Sequence, residues 1–172
     1  MSYFRITQDD KVRNPIKVPL SYQEIISDKP LAKILNFKQI GFDFLPLDYM
    51  SIPCPIVSHR LYHLMVLYDL HIHWQSLSLI DQDTRVQYQY WILKKPMQDC
   101  LLTFDEDNFV FSSDKLGDES VIRVKIHSDL PRNEFVVMSR LANEIILVRL
   151  DLAESILRRN FYGIKLIRIH VK

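Results

Sequence analysis

Four of the six histidines in this 172-residue chain, His59, His63, His71 and His73, fall within one short stretch. His59 and His63 stand at i and i+4, so on a helix their imidazoles leave one face from adjacent turns and could meet at a single ion. His71-x-His73 would place two more imidazoles on one side of a strand. This is the sharpest metal hypothesis in the chain, and a metal-dependent enzyme or metal-binding protein is the alternative function it carries. Against it, H-E-x-x-H is absent and no carboxylate sits at a recognised ligand spacing. His59 and His63 also fall opposite the apolar stripe of their helix, where solvated side chains are the rule. The expectation is no metal ligand and no cofactor.

Other reaction chemistry is thinner still. Ser58 lacks a G-x-S-x-G elbow and reads better as a helix cap. Cys100, after Gln98-Asp99, sits in an apolar, strand-like setting and reads as a small buried hydrophobe rather than a nucleophile. Asp105, Glu106 and Asp107 lack the spacing and glycine of an EF-hand and read as a solvated hairpin tip. The three glycines, Gly41, Gly117 and Gly163, cannot supply either common phosphate loop. No catalytic residue is assigned, and the chain is read as not an enzyme.

Aromatic residues are plentiful, with eight Tyr, nine Phe and two Trp. Tyr88, Tyr90 and Trp91 alternate with Gln87 and Gln89 in a strand-like run. Such a surface could stack bases or anchor a protein partner, and the plainer reading turns alternate members into a core. Lys94 and Lys95 alone make a weak phosphate footprint. With 22 basic and 21 acidic residues the formal charge is +1, without the basic excess of a general polyanion binder. A nucleic-acid-binding regulator is therefore a third reading, ranked below the others. Apolar residues make up 48%, which argues for a packed core and against disorder.

These residues need elements to hold them. The spacing predicts extended chain over 1–20, a capping box at Ser21–Glu24 that opens a helix over 22–27, and a second short helix capped by Asp28 over 31–35. A connector over 41–55 includes a strand-like Phe42–Leu45. Ser58 caps a helix over 59–69 with Leu61, Leu64, Met65 and Tyr68 on one face. Strands follow over 74–80 and 86–93, the latter half-buried. Further downstream lie a hairpin over 101–111, a loop over 112–120, and strands over 121–126, 134–138 and 144–150. A helix then begins with Asp151 as N-cap, carries a Glu154–Arg158 pair, and exits at Gly163 into a strand over 164–171. The result is one α+β domain over 1–172, mostly antiparallel sheet with a few short helices. A strand-helix-strand pattern occurs twice in it, at 56–80 and 148–171, as a duplication or as chance repetition of a common local pattern.

Pro55-Ile56-Val57-Ser58-His59-Arg60-Leu61, followed by Tyr88–Leu93, Asp99-Cys100-Leu101, Asp151–Leu157 and Tyr162–Leu166, resembles a bacterial immunity-protein family found beside polymorphic secreted toxins. The resemblance covers roughly 42–171, so that 1–40 form an N-terminal strand and short helices before an immunity-like region over 41–171. It implies a non-enzymatic antidote that binds and neutralises a cognate toxin, with no catalytic residue to carry over. Tyr88, Tyr90 and Trp91 are the candidate partner-binding residues. Two cysteines and the lack of a continuous apolar leader or spanning segment lead to the expectation of a reduced, cytoplasmic protein, with neither nucleic acid nor membrane as partner.

Overall fold

The structure, a computed structural model, describes residues 3–12, 15–37, 46–94, 136–139 and 145–169. The expected elements over 42–45, 101–111, 112–120 and 121–126, with Cys100 and the Asp105–Asp107 acids, lie outside the described residues. Among the described residues the chain is α+β: short helices pack on two sheets dominated by antiparallel pairing. None of these helices is long and apolar enough to cross a membrane.

The first sheet has the order β7-β8-β1-β9, built from β1 (Tyr3–Gln8), β7 (Val136–Ser139), β8 (Ile145–Arg149) and β9 (Ile164–Ile169). The second has the order β2-β5-β6-β4-β3, built from β2 (Leu31–Leu35), β3 (Tyr49–Met50), β4 (Ile56–Ser58), β5 (His73–Asp81) and β6 (Gln87–Lys94). Two longer helices, α2 (His59–Tyr68) and α3 (Leu150–Leu157), join β4 to β5 and β8 to β9. Short α1 (Tyr22–Ile26) is opened by the expected capping box, with Ser21 and Glu24 exchanging bonds.

The repeated unit of the sequence has the same plan in both sheets. β4 and β5 are parallel strands linked by α2, and β6 lies between them, antiparallel to both. β8 and β9 are parallel strands linked by α3, and β1 lies between them, antiparallel to both. Each unit is flanked by one further antiparallel strand, β3 beside β4 and β7 beside β8. In one unit the inserted strand comes from the next hairpin, and in the other from the chain's N-terminal segment. One hydrophobic cluster joins the units: Leu61, Leu64 and Met65 of α2 and Leu152, Ala153 and Ile156 of α3 share it with Ile6, Val57, Leu93 and Val148. A second cluster lies against Ile56, Leu77, Leu79, Tyr90 and Ile92 and is closed by Ile16, Val18, Phe37 and Cys54.

Two expectations are corrected. Residues 31–35 form β2, not a helix: they run parallel to β5, with Leu31 opposite Leu77 and Leu35 opposite Asp81. Tertiary context overrides the helix-compatible spacing: the ladder with β5 gives this stretch backbone partners, and Leu31 and Leu35 pack against the second cluster. Asp151 is not the N-cap of α3. Arg149 holds that position without a side-chain capping bond to the helix, and Asp151 lies in the first turn 3.5 Å from the Arg149 guanidinium. Its charge still favours the helix N-terminus. β6 is the expected half-buried antiparallel strand, with Tyr90 and Ile92 on its core face and Gln87, Gln89 and Trp91 on the other, where Leu93 near its end is also buried.

Candidate functional surface

α2 starts where Ser58 caps it: the hydroxyl accepts from the Leu61 amide at 3.2 Å and donates to Asp48 Oδ1 at 2.5 Å. Asp48 is 6% exposed, and its other oxygen accepts from the Tyr162 amide at 2.8 Å. The start of α2 is thus pinned to the segment leading into β9. With Leu61, Leu64 and Met65 turned inward, helical periodicity leaves His59 and His63 exposed and Tyr62 half-buried at the helix edge. The β5–β6 register sets Trp91 opposite Ser76 and Trp74 opposite Leu93.

These side chains meet. The Trp91 indole N–H donates to His59 Nδ1 at 3.1 Å, and His59 Nε2 lies 2.9 Å from His63 Nε2. Tyr62 stacks on Trp91 at 4.2 Å between centroids and meets Trp74 edge-on at 5.1 Å. Beside the aromatics runs an amide–hydroxyl ladder on the same face of the sheet. Gln87 Nε2 donates to Ser78 Oγ at 2.9 Å, Ser78 Oγ to Gln89 Oε1 at 3.2 Å, and Gln89 Nε2 to Ser76 Oγ at 2.9 Å. The result is one surface with stacked rings at one end and paired polar groups at the other.

The bonding assigns the tautomers. Indole nitrogen only donates, so His59 Nδ1 must accept and the His59 proton sits on Nε2. His59 then donates to His63 Nε2, which leaves the His63 proton on Nδ1. Both lone pairs that a metal would need are engaged within the protein. A cation on His59 Nε2 would require a proton on Nδ1, facing the indole N–H donor to donor. His71 lies in the turn before β5, its amide bonded to Asp69 Oδ1 at 2.9 Å, and His73 is exposed at the start of β5. Among the described residues no group of three or more His, Cys, Asp or Glu side chains could hold a metal ion. Of the four sequence candidates, the structure brings together His59 and His63, and what they bind is each other and Trp91.

The aromatic trio is split by the strand's alternation. Trp91 belongs to the surface. Tyr90, 2% exposed, is a core residue of the opposite face; burial first, and then the Asp48 carboxylate, push its phenol up. Tyr88, on the Tyr90 side, is half-buried and packs edge-on against Phe37 at 5.4 Å. The sequence reasoning missed Tyr62, Trp74 and the Ser76–Ser78 partners of the glutamines. Tyr62 sits three residues after His59, one helical turn on, and the alternation of Trp74, Ser76 and Ser78 marks one strand face. What was lacking was the register that lays that face beside Gln89 and Trp91.

No protein-family model matches the chain, and no curated protein matches it.

Proposed function

We propose that this chain is a non-enzymatic bacterial immunity protein, acting in the cytoplasm by binding and neutralising a cognate toxin. The reading rests on the family resemblance over 42–171, and the observation that supports it in three dimensions is the α2–β5–β6 surface. Protein interfaces concentrate Trp and Tyr at their centres inside a polar rim. Trp91 and Tyr62, stacked and pre-positioned beside the Gln87–Ser76 ladder, have that arrangement and lose little side-chain freedom on docking. Trp91 is the anchor, with Tyr62 beside it in place of the buried Tyr90.

The test is co-expression with the product of the neighbouring reading frame, scored by complex formation and by rescue of growth. Trp91→Ala is expected to weaken the complex by about 2 kcal/mol, roughly 30-fold in Kd, with an unchanged circular dichroism spectrum. Failure of the wild-type chain to bind or rescue would remove the reading. Unchanged affinity in the variant would move the interface elsewhere.

A further inference from the structure

We infer that Trp91, His59 and His63 form a proton-sensitive latch between β6 and the first turns of α2, closed when both imidazoles are neutral and opened by one added proton. The inference rests on the hydrogen-bond directions and does not depend on the proposed partner. In the closed state the three groups donate in one direction: indole N–H to His59 Nδ1 at 3.1 Å, then His59 Nε2–H to His63 Nε2 at 2.9 Å. Neither ring holds a spare lone pair inside this chain of bonds. A proton on His59 Nδ1 faces the indole N–H. A proton on His63 Nε2 faces the His59 N–H, unless His59 shifts its own proton to Nδ1, which again faces the indole. Either way one contact is lost, because two donors cannot share a hydrogen bond.

The rings stacked beside His59 attract the charged form without restoring the bond it loses. Among the described residues no carboxylate forms an ion pair with either ring. From α2 itself, the Arg60 guanidinium is turned away, 4.8 Å over the Phe161 ring and bonded to the Arg159 carbonyl at 3.1 Å. The Tyr62 ring stacks on His59 at 6.1 Å between centroids and is the other titratable group of the cluster. From β6 the facing group is the uncharged Trp91 indole, itself stacked near His59 at 6.3 Å. Two charged imidazoles at this spacing would also repel each other, so a single added proton is enough to break the chain of bonds and a second is disfavoured. The added proton is supplied by acidification, so the latch is probed by lowering the pH across the range in which imidazole side chains change charge.

The experiment uses the 15N-labelled full chain, whose two indole N–H signals are assigned by comparison with Trp74→Phe. At about pH 8 the imidazole nitrogen shifts should report a proton on Nε2 of His59 and on Nδ1 of His63; the reverse tautomers would overturn the inference. On lowering the pH to about 5 the Trp91 signal should move in a sigmoid while the Trp74 signal stays. His59→Asn should abolish that movement, and His63→Asn should shift its midpoint by uncoupling the pair. Circular dichroism reports that each variant is folded. A Trp91 signal that ignores pH, that titrates unchanged in His59→Asn, or that keeps the same midpoint in His63→Asn would sink the latch.

Discussion

Gly163 turns the chain from α3 into β9 with φ +78°, a conformation in which a side chain is strained. The space is also taken: an added Cβ would lie 2.5 Å from Leu47 Cδ2. Gly163→Ala should therefore destabilise the protein by about 1–3 kcal/mol, read as a lower urea midpoint at unchanged slope. Glu24 gives a pH signature. The bond from the Lys33 ammonium, followed by those from the Ser21 amide and hydroxyl, holds its carboxyl down from the ordinary 4.5 to about 2. A depressed carboxyl stabilises the fold above its unfolded value and loses that contribution as pH falls toward its folded one. Glu24→Gln should thus be less stable than the wild type above about pH 4.5, with the gap closing between there and about pH 2. The Ser21–Glu24 box was legible because a cap is a local bargain among four residues. Asp48 was not, since nothing near it in sequence announces that it bridges Ser58 and Tyr162.

Elements with strong local signals form as expected. α2 has a cap, a clean apolar stripe and the expected start. Ser58→Ala should cost about 1–2 kcal/mol, since it removes both the cap of the Leu61 amide and the hydroxyl that Asp48 accepts from, and amide exchange in the first turn of α2 should quicken. β2 shows the opposite case. Leu31–Leu35 carries helix-compatible spacing, yet the ladder with β5 wins. Lys33 reaches back to Glu24 at 2.6 Å, and Gln75 Nε2 donates to the carbonyls of Glu24 and Lys29 at 3.0 and 2.7 Å. The Gln75 contacts span more than forty residues and leave no trace in a local window. β6 teaches the same lesson from its faces. Its alternation correctly grouped Tyr88, Tyr90 and Ile92, and only the neighbouring layers decided that this group points into a core and Trp91 to the other side.

At the scale of the molecule, the two split units depend on each other. β1 fills the gap between β8 and β9, pairing Ile6 with Ile146 on one side and Leu166 on the other. The N-terminal strand is thus a central strand of the sheet it forms with β7, β8 and β9. Ile6 is 2% exposed and sits in the cluster shared by α2 and α3. Ile6→Ala should cost about 2–4 kcal/mol, and hydrogen exchange should speed up in β8 and β9 together, because the lost methyl groups leave a cavity between them.

The amino-acid order alone determined whatever is settled within a few residues: the caps at Ser21 and Ser58, the inward stripe of α2, the Glu154–Arg158 pair at 3.4 Å, the glycine at the turn into β9, and the α+β class that follows from their succession. Tertiary structure decided which strand lies between which, that residues 31–35 extend rather than coil, and that His59 and His63 spend their lone pairs on each other and on Trp91. The division has a physical cause. Dihedral preferences and capping bonds act over one turn of chain, whereas strand pairing and side-chain bonding depend on groups that become neighbours only when the sheets assemble.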